Sequence, residues 1–274
     1  MTSDDAPGTR SDAELAVRAA MAGAAEVADA FGGPLSRQAK SGLDFATDAD
    51  LASERAVRGV ISAARPRDRI LGEELGGTGP LDAGRRWYVD PLCGTLNFAA
   101  GTPPFCVNVA LGVTTPGEGA DSSERFTAAA VADPQTGEVS WTDGTGAWLR
   151  RPAGGPDLPL QPSAVSRLVT VNVDGSGALV GPRLVASPAF RAAFGVRVSS
   201  STLALAWVAA GKQAAYVTDG SFDGSVHFAA ALAVCEAAGC VLVDLDGGPV
   251  RGGRGLVAAA DTATAHRILA LIDA

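Results

Sequence analysis

Four acidic side chains of this 274-residue chain sit where regular patterning breaks off: Asp50, Glu73, Glu74 and Asp90. Asp50 falls in the first turn of a helical pattern. Glu73 and Glu74 follow a short apolar run and a glycine, and Asp90 ends the run Trp87-Tyr88-Val89. Carboxylates at the ends of elements converge readily in a cleft and suit a hard, oxygen-loving cation such as Mg²⁺. Taken singly, each is more commonly a cap or a solvated surface group. The segment Asp90-Pro91-Leu92-Cys93-Gly94-Thr95-Leu96-Asn97-Phe98 is far more specific. It puts a carboxylate beside a free backbone carbonyl. Gly94-Thr95 then opens a turn or helix whose N–H groups can hold an anion. Metal ligands beside an N–H nest are what phosphate-ester hydrolysis requires, because the ion polarises the phosphoryl oxygens and activates water while the nest takes the remaining charge.

These residues need elements to position them. Helices are predicted over Ala13–Phe31, ending at Gly32-Gly33, and over Asp48–Ala64, with Thr47 as N-cap and Pro66 closing the segment. Short strands are predicted at Arg69–Gly72 and at Trp87–Val89, the second stopped by Asp90-Pro91, and buried strands at Cys106–Val113 and Ala128–Ala132. Val139–Trp141 and Ala147–Leu149 flank Asp143-Gly144 as a hairpin. Residues Arg150–Pro162 are rich in Pro and Gly and poor in pattern, which marks a domain boundary. Beyond it the pattern predicts strands at Leu168–Val171, Ala214–Thr218 and Val241–Asp244. Helices are predicted at Ser187–Phe194, Thr202–Ala210, Val226–Ala238 (closed by Gly239) and Thr262–Ile272. The division is a disordered tail over 1–12, an N-terminal α+β half over 13–152 carrying the Asp90 loop, and a C-terminal α/β half over 153–274 completing the cleft.

Gly72-Glu73-Glu74 with the Trp87–Phe98 run resembles the GEE and DP-(I/L)-DGT-x-N-F signatures of the inositol monophosphatase family. Lys40 with Thr47–Asp50, the stretch Leu205–Gly211, and Ala229-Ala230 through Asp244 resemble that family's further motifs, so the likeness runs from about Ala13 to Ile272. The resemblance implies a five-layered α-β-α-β-α sandwich, Mg²⁺ dependence, small phosphorylated substrates and frequent homodimers. Residue by residue it assigns Glu73, Asp90 and the Leu92 carbonyl to a first metal. Glu73 and Thr95 would orient the attacking water, and the Gly94 and Thr95 N–H groups would hold the phosphate. Asp50, Glu74 and Lys40 would form an outer shell.

Two positions depart from the family pattern. Cys93 stands where the family has the second Asp of its loop, and Val226-His227 stands for its Trp-Asp pair. Those Asp residues belong to the family's second metal site. Asn108, Ser199–Ser201 and Thr218 also differ from common family patterns, which touches substrate choice. Three readings follow. Drift could have left an inactive pseudo-phosphatase. Alternatively Asp90, Cys93 and His227 form an altered O, S and N donor set, better suited to Zn²⁺ or another soft ion than to Mg²⁺. In the third, no metal is needed. If the family fold holds, Cys93 and His227 meet, with the thiol favoured as thiolate by the nest, the imidazole kept basic by its helix N-terminus, and Asp90 orienting it. That Cys-His-Asp set would serve acyl or thioester chemistry. The leading expectation is hydrolysis of a small phosphorylated polyol, sugar or nucleotide with a reduced or altered metal site.

Bulk properties narrow the class. Hydrophobic residues at 47% build a sizeable core, and a net charge of −8 with no Lys/Arg cluster argues against a nucleic-acid partner. No run of eighteen apolar residues is present, so no membrane partner is expected. The polar N-terminus does not read as a signal peptide, and the four cysteines, Cys93, Cys106, Cys235 and Cys240, form neither a CxxC pair nor a disulfide framework. Free thiols in a reducing cytoplasm are the expectation. His266, the second of two histidines, reads as a surface residue of the last helix.

Overall fold

The structure is a computed structural model describing residues 11–40, 45–114, 124–174, 179–219, 222 and 224–273. In chain order its elements are α1 (Asp12–Ala30), β1 (Arg37–Ala39), β2 (Phe45–Thr47), α2 (Asp48–Ala64), β3 (Arg69–Gly72), β4 (Gly76–Thr78), β5 (Arg85–Cys93), α3 (Thr95–Ala99), β6 (Cys106–Thr114), β7 (Glu124–Ala132), β8 (Val139–Thr142) and β9 (Ala147–Arg150). They continue as β10 (Leu158–Pro159), β11 (Leu168–Asn172), α4 (Val180–Ala186), α5 (Pro188–Ala193), β12 (Gly195–Val198), α6 (Leu203–Ala209), β13 (Ala215–Thr218), α7 (Val226–Ala238), β14 (Val241–Val243), β15 (Leu256–Ala259) and α8 (Thr262–Ile272).

Apolar faces stack these elements into five layers. Helices α1 and α2 bury Leu15, Val17, Val57 and Ile61 against one face of an eight-stranded sheet ordered β10-β9-β8-β7-β6-β5-β3-β4. That sheet is antiparallel except where β3 runs parallel to β5. Its other face meets α6 and α7 through Ala129, Val131, Leu205, Ala230 and Val234. The same two helices pack on Tyr216 and Ala258 of a five-stranded sheet ordered β12-β11-β13-β15-β14. Helices α4, α5 and α8 close the far side through Leu184, Phe190 and Ile268. Small side chains permit the middle layer. Alanines crowd the buried side of α7, so a helix fits between two sheets without voids. At the α1/α2 contact Gly23 has a similar role, since a Cβ there would lie 2.7 Å from Ser53 Oγ and 2.8 Å from a Val57 methyl.

Caps set the ends of the helices. Ser11 Oγ accepts from the Glu14 amide at 3.2 Å, with Asp12 and Glu14 in the first turn of α1. Helix α1 therefore includes Asp12, and the expected tail over 1–12 loses its last two residues to the cap and first turn; residues 1–10 lie outside the described residues. Gly239 takes the left-handed conformation at φ 85° and closes α7.

Two expectations need correction. Asp90-Pro91 does not stop β5, which continues to Cys93 across a register shift between Asp90 and Cys93. A bulge is where a strand tolerates proline, because no ladder donor is required there. The stretch Arg150–Pro162 is also not patternless: β10 within it pairs antiparallel with β9 and adds an edge strand to the large sheet. No helix among the described residues is long and apolar enough to cross a membrane.

Candidate active site

The site gathers where β3, β5, α2 and α7 end or begin. The turn after β3 is built on Glu54, a fully buried α2 residue. Its carboxylate accepts from the Glu74 amide at 2.7 Å and the Leu75 amide at 3.2 Å, and pairs with Arg58 Nε at 2.7 Å. Gly72 leaves room for it, since a Cβ there would sit 1.9 Å from Glu54 Oε1. The turn projects Glu73 inward. On β5, Asp90 is fully buried and its Oδ1 accepts from the Leu92 amide at 3.1 Å. Pro91's carbonyl accepts from Ser53 Oγ of α2 at 2.8 Å, which anchors the bulge.

Gly94 then turns the chain at φ 106°, and a Cβ at that position would lie 2.8 Å from the Pro104 carbonyl. Only glycine meets both demands. Thr95 follows as the first residue of α3, its Oγ1 3.1 Å from Asp50 Oδ1 and 3.0 Å from the Leu92 carbonyl. Asp50 is fully buried and its Oδ2 accepts from the Thr47 amide at 2.7 Å, completing a capping box at the start of α2. Burial pushes the Asp50 carboxyl up to about 6 against the opposing hydrogen bonds from Thr47.

His227, second residue of α7, brings Nδ1 to 2.9 Å from Asp90 Oδ2 and 3.6 Å from Glu73 Oε2. The turn before it is held by an edge-on contact of Phe222 with Phe228, ring centroids 4.5 Å apart. On the far side of Glu73, Lys40 Nζ lies 2.9 Å from Glu73 Oε1 and 2.6 Å from Glu74 Oε1. The charges alternate: Glu74, Lys40, Glu73, His227, Asp90. Burial, then the nearby Asp90 charge, raises the Glu73 carboxyl. Burial opposes the Lys40 ammonium, but its bonds to Glu73 and Glu74 outweigh it and raise its pKa. The hydrogen bond that the His227 imidazole donates to the Asp90 carboxylate raises the imidazole's pKa. The expectation of an imidazole kept neutral by its helix terminus is therefore reversed, because a buried carboxylate at 2.9 Å outweighs a half-charge at a helix end.

Cys93 is the second reversal. Its Sγ accepts from the Thr202 amide at 3.3 Å and from Thr202 Oγ1 at 3.1 Å. Cys106, directly opposite across the β5/β6 ladder, has its own Sγ 3.5 Å from that hydroxyl. Asn108 Nδ2 donates to the same Thr202 oxygen at 2.8 Å. A hydrogen bond with Cys106, then burial, pushes the Cys93 thiol well above its ordinary range, the opposite direction to the expected nest-stabilised thiolate. Nor do Cys93 and His227 meet. The metal-competent group among the described residues is Glu73, Asp90 and His227, whose ligand atoms lie within 4.8 Å of one another, and the thiol is not part of it.

Thr202 and Asn97 are site-building residues the sequence did not single out. Asn97 Nδ2 donates to the Pro104 carbonyl at 2.8 Å and the Ser200 carbonyl at 2.9 Å, tying α3 to the segment before α6. The loop motif included Asn97, a signal that could have found it. Cys106 and Cys235 are buried, Cys240 directly precedes β14, and His266 is exposed on α8.

The donor set can be tested against the ion the fold family implies. Glu73, Asp90 and the Leu92 carbonyl supply oxygens of the kind Mg²⁺ takes. At the two positions where the family resemblance expects further carboxylate ligands, this chain has a hydrogen-bonded thiol, Cys93, and an imidazole, His227.

A layered fold with carboxylates at strand ends around a Gly-Thr turn defines a class of small-molecule phosphoesterase-like proteins. The chain belongs to the inositol monophosphatase family, whose model matches residues 9–274. It is 34% identical over 266 residues to an inositol-1-monophosphatase of Mycobacterium leprae, covering 89% of this chain and 83% of that protein. It is 43% identical to a histidinol-phosphatase of Streptomyces coelicolor over 76 residues, 27% of each chain. Among solved structures, the extragenic suppressor protein SuhB from Bartonella henselae superposes with a TM-score of 0.80 at 24% identity, covering 94% of this chain and 97% of that one. The five-layered sandwich is thus the family fold.

Proposed function

We propose that this protein hydrolyses a small phosphorylated polyol, sugar or nucleotide with an ion held by Glu73, Asp90 and the Leu92 carbonyl. The observation that carries the reading is the convergence of Glu73, Asp90 and His227 ligand atoms within 4.8 Å of one another, Asp90 lying on a strand whose loop carries Thr95 with its hydroxyl 3.1 Å from Asp50 Oδ1. When bound, a divalent ion there supplies Lewis acidity to the phosphoryl oxygens and activates water. The chain's own groups do the rest. Thr95 Oγ1 donates toward Asp50 Oδ1 and keeps a lone pair for the attacking water's proton. Asp50, buried and oriented by Thr47, takes the Thr95 proton as that hydroxyl takes the water's, and as the water oxygen bonds phosphorus the P–O bond to the alcohol breaks and the released alkoxide takes a proton from solvent water. Glu73 orients the same water from the opposite side. The Gly94 and Thr95 N–H groups at the turn hold phosphate oxygens.

Kinship with an inositol-1-monophosphatase and a histidinol-phosphatase supports a small monoester as substrate. A homodimer, as the family resemblance implies, in a cytoplasm that keeps the four thiols reduced completes the reading. The Cys93-His227 alternative is not carried further, because thiol and imidazole are held by different partners. The experiment is phosphate release from a panel of sugar, polyol and nucleotide monophosphates with added divalent ion. Turnover should stop in EDTA and fall by at least about 10²-fold in Glu73→Gln. Undiminished turnover in EDTA overturns the proposal.

A further inference from the structure

We infer that this chain holds one divalent ion, with the His227 imidazole as a nitrogen ligand beside Glu73 and Asp90, and that it favours a first-row ion such as Mn²⁺ or Zn²⁺ over Mg²⁺. The inference rests on the reading of Glu73 and Asp90 as ion ligands and adds the identity and number of the ions. Donor atoms that share one ion at about 2.0–2.2 Å stand roughly 3.0 Å apart at right angles and roughly 3.4 Å apart in a tetrahedron. His227 Nδ1 is 2.9 Å from Asp90 Oδ2 and 3.6 Å from Glu73 Oε2. Both distances from the imidazole nitrogen are close to the spacing a shared ion imposes, and all three ligand atoms lie within 4.8 Å of one another. They come from three separate elements, β5, the turn after β3, and α7, so their convergence is tertiary and not a helical repeat.

The nitrogen sets the preference. Mg²⁺ demands a near-octahedral shell of oxygens and dehydrates reluctantly. Imidazole suits first-row transition ions and Zn²⁺, whose affinities for mixed N/O sites exceed that of Mg²⁺. The count follows from Cys93. Its sulfur already accepts two hydrogen bonds from Thr202 and sits opposite Cys106 across the ladder, so it is engaged by other partners and is not among the grouped Glu73, Asp90 and His227 donors. With Cys93 withdrawn and His227 drawn to the first ion, Asp90 alone is left to a second, which is too few ligands to hold one.

The test uses the full-length, tag-free chain, stripped of metal and titrated with Mn²⁺ and separately with Mg²⁺ by calorimetry, alongside pulsed EPR of the Mn²⁺ form. One Mn²⁺ per chain is expected, with a ¹⁴N coupling in the EPR spectrum. Only two histidines are present, so His266→Ala, which keeps the coupling, identifies the nitrogen as that of His227. His227→Asp should lose the coupling and cut the ratio of Mn²⁺ to Mg²⁺ affinity about tenfold, and His227→Gln checks that the loss is not misfolding. Combining Cys93→Asp with His227→Asp should raise the count to two. Mn²⁺ bound without nitrogen coupling, two ions in the wild type, or no binding overturns the inference. In the first two cases loss of binding and turnover in Glu73→Gln would leave the phosphatase reading standing. Turnover that survives metal removal would instead sink that reading.

Discussion

Asp50→Asn should stabilise the protein at neutral pH while disabling it. Asp50 is fully buried, and its carboxyl is raised from 3.8 to about 6 by burial. The sign follows from linkage: an acid whose folded pKa lies above its unfolded one loses native stability as pH rises from the unfolded value through the folded one. Two units at ~1.4 kcal/mol each make the ionised carboxylate cost about 3 kcal/mol above pH 6. Asparagine removes that cost and keeps an acceptor for the Thr47 amide, and the raised value already includes the charge-assisted bonds it gives up. The net gain is about 3 kcal/mol at pH 7, shrinking toward zero near pH 4. Urea unfolding of metal-free wild type and variant, run from pH 4 to pH 8, measures it. Turnover should fall by roughly 10²–10⁴, because the amide presents a donor to Thr95 where the carboxylate presented an acceptor. A variant that is less stable at pH 7, or a difference flat across pH, would refute the burial argument. Retained turnover would refute the Thr95–Asp50 proton path.

Two further outcomes follow from the packing. Cys93 should alkylate with iodoacetamide more slowly than free cysteine at pH 7.5, and His227→Ala should leave that rate unchanged, because the thiol is raised by Cys106 and burial. Acceleration by His227 would revive the thiol mechanism. Gly72→Ala should displace Glu54 from the Glu74 and Leu75 amides, costing about 1–3 kcal/mol by thermal melt and weakening Mn²⁺ binding in calorimetry.

Elements whose ends carry their own chemistry were legible from sequence. Helix α2 begins after Thr47 and α7 ends at Gly239 as their caps dictate. Helix α4 was missed because its cap is remote: Asp219 accepts from the Val180 amide at 3.0 Å and the Gly181 amide at 2.8 Å from 38 or 39 residues away. Strand β15, central in the small sheet, reads Leu-Val-Ala-Ala and shows neither alternation nor a β-branched run, so its burial on both faces hid it. Strands β1, β4 and β12 have three or four residues, too few for a period. In the site, the carboxylates and the Asp90–His227 contact were legible because motif residues make them. The fate of Cys93 was not. A bulge decides which way its side chain turns, and Thr202, more than a hundred residues away in sequence, reaches the sulfur first.

Helix α7 lies between the two sheets and carries His227 at its N-terminus, facing carboxylates that belong to the large sheet. The spacing of the three donors therefore registers how far apart the sheets stand. A core substitution on either side of α7, such as Leu205→Ala or Tyr216→Phe, can detune the site without touching it. At the proposed ion site, affinity would be a ruler laid across the whole sandwich, and loss of binding would announce loosened packing before the chain unfolds.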